Sequence, residues 1–298
     1  MHDLPPERSL DAASAIERIQ DDITALGLGW RVHLLGSPWP VVMAELTDDT
    51  GTPVAQGFGK GCTASALVGA LFEALEHWVT DRPAPPSGPG AGEDTVLDSS
   101  HRFAGIELCR GERVVELLAD APEAPLPCRR YAALAGAGTL HYPLFLTKPG
   151  YWRGPRLSGD DFPYASLARY ASSSGTAVGA TFEEACIHAL GEAVEGDAVS
   201  AFLARRLYAP ADDGPLRLVD PDSLAPSLRD LLTVVEREAG GRVRLIDIDR
   251  GIGVPAFLAV VRAPDGGPPP FGAGTSLDAG HAVARALNEL LRTIRAEA

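Results

Sequence analysis

The chain has 298 residues, 26 Lys and Arg against 40 Asp and Glu, a formal net charge of −14, and 45% hydrophobic residues. This is globular composition with enough apolar matter for a sizeable core, and the acidic balance argues against a nucleic-acid partner, which needs a concentrated basic face. No run of about 18 apolar residues occurs and "MHDLPPERSL" lacks a basic-then-apolar leader, so no membrane partner and a cytoplasmic location are expected.

Cys62, Cys109, Cys128 and Cys186 are spread without a Cys-x-x-Cys pair and read as buried or half-buried thiols in a reducing cytosol. From the N-terminus, Ile16, Ile19, Ile23 and Leu26 predict a helix over 12–27 ending at Gly27. "RVHLLG" and "PVVMAELTD" read as two strands around a Gly-Ser-Pro turn. Gly59-Lys60-Gly61 then feeds a helix from about Thr63 to Thr80. After it, a Pro/Gly-rich stretch at about 81–98 reads as a lid or surface loop without regular structure. Residues 139–147 and 164–174 read as strands, and a long helix spans about Thr181 to Leu207. A helix over about Ser227–Ala239 leads to strands in "VRLIDID" and "PAFLAVVRA", and a last helix covers about Leu277–Glu297. Strands and helices without regular βαβ spacing predict a mixed α+β, layered α/β fold in a single domain over 1–298. The turn at Lys60 lacks P-loop spacing, and no Gly-x-Gly-x-x-Gly opens a helix after a strand.

Three of these helices echo one another. Aligned on Glu73, Glu192 and Glu289, each has Ala seven residues earlier (Ala66, Ala185, Ala282) and again three residues earlier (Ala70, Ala189, Ala286). Leu71, Leu190 and Leu287 also match, and a glycine-bearing turn precedes each helix. Three residues after the aligned glutamate stand Glu76, Glu195 and Arg292.

Carboxylates spaced i, i+3 beside a close-packing alanine stripe gather on one side of a helix. A single pair would ordinarily occupy a solvated edge. Two pairs at matched repeat positions, Glu73 with Glu76 and Glu192 with Glu195, would repel one another and protonate unless a cation joins them. Hard carboxylate oxygens suit Mg²⁺, which also takes phosphate oxygens, and Arg292 supplies positive charge toward a phosphate. A di-iron bundle does not fit: the second helix reads "EAVEG" without histidine, and the chain has too many strands and prolines.

These residues resemble the YcaO superfamily. The likeness rests on Gly59-Lys60-Gly61 through "ALFEALEH", on "SSSGTAVGATFEEACIHALGEAVEGD", and on "GAGTSLDAGHAVARALNELLR", and it runs from about residue 10 to the end. It implies a YcaO-like fold whose Ala-rich helices line an ATP site, with ATP and Mg²⁺ as cofactors. Glu73, Glu76, Glu192 and Glu195 become the metal-ligand candidates. Lys60, Ser174, Glu184 and Arg292 become nucleotide-site candidates, with Arg285 or Arg295 able to replace Arg292 because the helix register is open. Ser174 could equally be a turn serine facing solvent, and Glu184 could simply favour the helix dipole.

Members of the superfamily phosphorylate the oxygen of a peptide backbone amide. The resemblance therefore implies an ATP-dependent cyclodehydratase-type enzyme of ribosomal-peptide (antibiotic-type) biosynthesis, giving an azoline, amidine or thioamide. No catalytic residue is singled out. The implied partners are a ribosomal precursor peptide and a separate leader-binding or TfuA-like protein, with a homodimer as the expected assembly. Departures from the family pattern are also present: His77 and Gly196 stand where the family has arginines, and "RTIRAEA" is not the Pro-rich carboxylate tail of azoline formers. No fused leader-binding domain is expected. These departures motivate an alternative, a non-catalytic YcaO-like subunit that binds a peptide or a partner enzyme.

Overall fold

Among the described residues the strands form three antiparallel meanders of three strands each, and a long helix directly follows the first and the third. In the computed structural model, the described residues are 7–37, 39–81, 95–209, 214–262 and 266–297. Contacts within the chain gather into two compact units: Met1–Trp78 with Ala177–Ala298, and Val79–Thr176.

In the larger unit, helix α1 (Ala12–Ala25) starts at Asp11, whose side chain accepts the Ser14 N–H at 2.8 Å. It ends at Gly27, which takes the left-handed φ of +73°. Strands β1 (Gly29–Leu35), β2 (Val41–Thr47) and β3 (Pro53–Lys60) form the first meander, and α2 (Thr63–Asp81) follows. The first and last helices, the first two strands and the helix after Lys60 lie where periodicity places them. Strand β3 was not legible, because its Gly57 and Gly59 carry no strand signal.

Those glycines are there for packing. A Cβ on Gly59 would lie 1.6 Å from the Ala66 carbonyl oxygen, and one on Gly57 2.2 Å from the Ala74 nitrogen. The alanine stripe of α2 therefore runs Ala66, Ala70, Ala74, all fully buried, and rests directly on the backbone of β3. The carboxylates of Glu73 and Glu76 flank this stripe rather than extend it.

The same construction recurs at the C-terminal end of the chain. Helix α7 (Pro226–Ala239), strands β7 (Val243–Asp247), β8 (Ala256–Val261) and β9 (Phe271–Thr275), and helix α8 (Ala279–Glu297) repeat the order of α1 to α2. A Cβ on Gly274 would lie 2.2 Å from the Ala282 carbonyl oxygen, and one on Gly272 2.2 Å from the Leu290 nitrogen. Helix α6 (Phe182–Tyr208), capped by Thr181, covers the other face of this third sheet. Period-two alternation divides the strands: Leu245, Ala259 and Val261 face α7 and α8, while Ile246 and Leu258 face α6.

The smaller unit holds β4 (Thr95–Ser99), α3 (Ser100–Ala104), α4 (Arg113–Asp120), β5 (Pro125–Ala132), β6 (Thr139–Pro143) and α5 (Leu144–Thr147) around its own core. Two sequence expectations are corrected in it. Only 139–143 is extended, and Leu144, Phe145 and Leu146 turn into α5, where all three are buried. Residues 164–174 are not a strand but contain two single 3₁₀ turns. The buried Asp160 carboxylate accepts the Tyr151 and Tyr164 hydroxyls at 2.7 and 2.9 Å and folds the chain back on itself. Tyr164 and Leu167 then reach the core at a spacing of three, which no strand allows. Of the stretch at about 81–98 expected to lack regular structure, Asp81 closes α2 and residues 95–98 belong to strand β4, which corrects the expectation at both ends; residues 82–94 lie outside the described residues.

Candidate functional site

Helices α2, α6 and α8 bring the aligned glutamates of the repeat within electrostatic reach of one another. Glu76 is 9% exposed, and its carboxyl is pushed up to about 8 by loss of solvent, then by the charges of Glu192 and Glu73; the Val178 N–H pulls weakly the other way. Val178 belongs to the glycine-bearing turn that leads into α6, so that turn is tied to α2. Glu195 is also pushed up, first by burial and then by Glu289 and Glu192, against the opposing pull of Arg285. Its Oε2 is buried without a hydrogen-bond partner, the nearest Arg285 nitrogen lying 3.8 Å away.

Helix α8 differs. Glu289 accepts hydrogen bonds from Lys60 Nζ and, at 2.8 and 2.6 Å, from Nε and Nη2 of Arg292. Burial alone would raise its carboxyl, but Lys60 and Arg292 outweigh burial and hold it below the ordinary range. The Arg292 guanidinium lies 5.7 Å from the Phe58 ring centroid. Phe58 and Lys60 alternate along β3 with the glycines that meet α2, so they face the opposite side of the sheet.

Two cavities flank the Arg285–Glu195 pair. One, of ≈470 Å³, is lined by Glu195, Glu289, Arg292, Thr293 and residues 268–273. The other, of ≈190 Å³, is mostly apolar, with Ile187, Leu190, Val194 and Leu277 in its walls and Arg8, Glu184, His188 and Arg285 among its polar residues. Thr275 Oγ1 and His188 Nδ1, which also belong to this cavity, are buried without hydrogen-bond partners. His188 is pushed down to about 4 by burial and then by Arg285 and Arg8, so its ring is neutral at pH 7.

Of the residues singled out in the sequence, Lys60, Glu73, Glu76, Glu192, Glu195, Arg285 and Arg292 are brought together around these cavities and carboxylates. Arg295 is not among them. It is bidentate to Glu238, at 2.6 Å to each oxygen, and donates to the carbonyls of Leu35 and Trp39, which leaves Arg285 and Arg292 as the α8 candidates beside the carboxylates. Glu184 borders the apolar cavity, where it accepts Arg8 Nη1 at 2.6 Å and the Ser9 hydroxyl at 3.2 Å. Ser174 lies in the smaller unit, and its N–H donates to Ser172 Oγ at 3.0 Å. His77 Nδ1 is 2.6 Å from the Gln56 carbonyl oxygen.

Sequence reasoning passed over Glu289, although it is the aligned glutamate of the third repeat. It also passed over His188, one turn before Glu192. Arg8 left no signal at all, because its partner lies 176 residues away.

The donor set is all carboxylate oxygen, one oxygen is orphaned in the interior, and Glu76 holds a proton for want of a counter-charge. These features fit a hard divalent cation. Among the described residues, no group of three or more such side chains is drawn tightly enough to enclose a metal ion by itself.

Residues 58–297 match the family model described as YcaO cyclodehydratase, ATP- and Mg²⁺-binding. The chain belongs to the YcaO family. ATP and Mg²⁺ are thus the cofactors of its family. An "uncharacterized protein in tfuA 3′ region" of Rhizobium leguminosarum bv. trifolii is 29% identical over 249 residues, 80% of this chain and 52% of that protein. The chain therefore spans about half the length of this curated relative. A YcaO protein from Methanopyrus kandleri, solved with AMPPCP and Mg²⁺, superposes with a TM-score of 0.64 at 22% identity over 96% of this chain and 67% of that one. A heterocyclase solved with substrate and cofactor superposes with a TM-score of 0.67 at 17% identity over 96% of this chain and 40% of that one. At these identities the structural likeness concerns the fold, which is the mixed α+β YcaO fold. No helix among the described residues is long and apolar enough to cross a membrane.

Proposed function

We propose that this chain is an ATP- and Mg²⁺-dependent enzyme that phosphorylates the oxygen of a backbone amide in a ribosomally made peptide, leading to an azoline, amidine or thioamide. The observation that carries this reading is the carboxylate surplus of α2 and α6: Glu76 raised by Glu192 and Glu73, and Glu195 with an orphaned oxygen. Glu73, Glu76, Glu192 and Glu195 would hold Mg²⁺. Bound there, the ion would neutralise and orient phosphate oxygens.

The rest of the work falls to the chain's own side chains. Arg292 lines the polar cavity and, with Lys60, is held in place through Glu289; this is the positive charge available to a phosphate chain. The apolar cavity, joined to the carboxylates through Arg285, would take the nucleoside, with Thr275 Oγ1 and neutral His188 as the polar groups able to meet a base or ribose. In the reaction the amide oxygen bonds to the γ-phosphorus as ADP leaves. The incoming nucleophile then adds to the activated carbon, and phosphate departs with the former amide oxygen. Positioning and charge neutralisation supply the catalysis without a covalent enzyme intermediate.

The peptide substrate and a TfuA-like or separate leader-binding partner protein form part of the proposal. The TfuA-like partner is motivated by the Rhizobium relative, whose name places it in the region 3′ of tfuA. One observation favours the second reading, a non-catalytic subunit: His77 is turned to the Gln56 carbonyl and replaces an arginine that would face phosphate.

Calorimetric titration with ATP, with and without Mg²⁺, separates the two readings. The folded wild type should bind in a Mg²⁺-dependent manner, and Glu76→Gln and Glu195→Gln should each abolish the signal. A folded wild type that binds no nucleotide under either condition would leave the non-catalytic reading standing.

A further inference from the structure

Strand β9 closes one edge of the third sheet, and its backbone runs past both cavities: Phe271, Gly272 and Ala273 line the polar one and Thr275 the apolar one. Its inner side is bonded to β8. The Val261 N–H donates to the Pro270 carbonyl at 3.2 Å, the Ser276 N–H donates to the Pro255 carbonyl at 3.3 Å, and the register between them is regular. In an antiparallel pair, residues turned to the partner strand alternate with residues turned away from it. Pro270, Gly272, Gly274 and Ser276 therefore direct their main chain to β8, while Phe271, Ala273 and Thr275 direct N–H and C=O outward. Among the described residues no strand pairs with that outer side.

The edge is open where it meets the polar cavity. Phe271 is 48% exposed and Ala273 is half-buried, whereas Thr275 is buried. Gly272 and Gly274 lie backbone to backbone against α8, so the strand is fixed in place and cannot turn its edge away. Edges are ordinarily blunted by charge, a bulge or a covering segment; from Phe271 to Thr275 the sequence has no charged residue and the pairing no bulge. A rigid row of alternating donors and acceptors is the complement of extended polypeptide main chain.

We propose that the peptide substrate binds as an added strand on β9, exchanging main-chain hydrogen bonds with Phe271 and Ala273 inside the polar cavity; this rests on the peptide-modifying function proposed above. An amide oxygen that is to attack phosphorus needs a lone pair free of other bonds. In an added strand every second residue turns its carbonyl away from the strand it joins. The residues bonded to Phe271 and Ala273 are thus held, and the residue between them keeps its carbonyl free in the cavity that Glu195, Glu289 and Arg292 line. Main-chain pairing does not read side chains, so this edge accepts many sequences, and the exposed Phe271 ring offers an apolar flank to whichever side chain lies beside it. Pairing at two residues, each with one donor and one acceptor, corresponds to a dissociation constant on the order of 1 mM.

Residue-resolved amide hydrogen exchange on the full chain, without nucleotide, tests this with an acetylated, amidated peptide of alternating threonine and valine at about 2 mM. In the free protein the N–H groups of Gly272 and Gly274 should exchange slowly and those of Phe271 and Ala273 fast. The peptide should slow Phe271 and Ala273 about three-fold. The same peptide N-methylated at every second residue should act alike, because one row of N–H groups survives, and the fully N-methylated peptide should have no effect. Ala273→Pro, which removes only an outward N–H, should weaken the protection of Phe271 about five-fold in peptide affinity, whereas Ala273→Ser should not. Phe271 and Ala273 amides that are slow without peptide, or that the peptide leaves fast, would overturn the proposal, as would equal protection by the fully N-methylated peptide. Protection by the peptide in a chain that binds no Mg²⁺-ATP in calorimetry would overturn the enzyme reading alone and support β9 as a peptide-binding edge.

Discussion

Helices α2 and α6 follow the aligned glutamate with a second glutamate three residues later, whereas α8 follows Glu289 with Arg292, and the electrostatic settings differ accordingly. Glu76 is raised by burial and then by Glu192 and Glu73, Glu195 by burial and then by Glu289 and Glu192, and Glu195 keeps an orphaned oxygen. Glu289 is lowered, because Lys60 and Arg292 hold both of its oxygens. The repeat thus supplies three equivalent positions, and the substitution of Glu by Arg292 at the following turn converts one of them from acidic surplus to a balanced, cation-bearing arm. A metal-nucleotide site needs both kinds, one to hold the divalent ion and one to face the phosphates.

The frame that keeps these arms aligned is the strand-on-helix contact, and breaking it has the largest expected effect. Gly59→Ala places a Cβ 1.6 Å from the Ala66 carbonyl oxygen and Gly274→Ala one 2.2 Å from the Ala282 carbonyl oxygen. Each should cost about 3 kcal/mol, visible as a Tm lower by ~6–12 °C in thermal melts. Equal losses would show that the first and third repeats bear load alike.

Neutralising one glutamate from each side should give shifts of opposite sign in the metal-free protein. Glu289→Gln removes the partner of Lys60 and Arg292 and should cost about 1 kcal/mol. Glu76→Gln removes a carboxyl that the folded state prefers protonated, so it should raise the Tm. For Glu76 the folded-state pKa of about 8 lies above the ordinary value of 4.5. The stability its protonated form contributes is therefore fully present below about pH 4.5 and is lost as pH rises through 8. The gap between Glu76→Gln and wild type should widen over that window, to on the order of 3 kcal/mol at pH 9. Thermal melts in chelator from pH 5 to 9 would measure it; a gap that stays constant would show that Glu76 is not a buried acid.

The smallest effect is expected at His77. His77→Ala loses one hydrogen bond to the Gln56 carbonyl, about 1 kcal/mol at most, and should leave Mg²⁺-dependent nucleotide binding unchanged in calorimetry. A loss of binding would place His77 in the site after all.

Much of the site was legible in the chain itself. The aligned Ala, Leu and Glu positions predicted which helices correspond, and the i, i+3 glutamates predicted where charge would accumulate. Strands β3 and β9 were not legible, because glycine weakens a strand pattern, and the need for Gly57, Gly59, Gly272 and Gly274 exists only once a helix lies against them. The run at 164–174 misled for the opposite reason: its aromatic and apolar residues suit a strand, but Asp160 captures the hydroxyls of Tyr151 and Tyr164 and closes the segment into turns. The register of α8 was open among Arg285, Arg292 and Arg295 until Glu238 and the carbonyls of Leu35 and Trp39 claimed Arg295.

The sequence by itself determined the repeat, the helices and the excess of carboxylate, because side-chain periodicity and composition are local properties that chain order preserves. Only the tertiary structure decided which charges meet. Lys60 finds Glu289 across 229 residues and Arg8 finds Glu184 across 176. Pairings at such separations depend on how sheets and helices stack, and in this chain that stacking is set by glycine backbones close enough to alanine helices to exclude any other side chain.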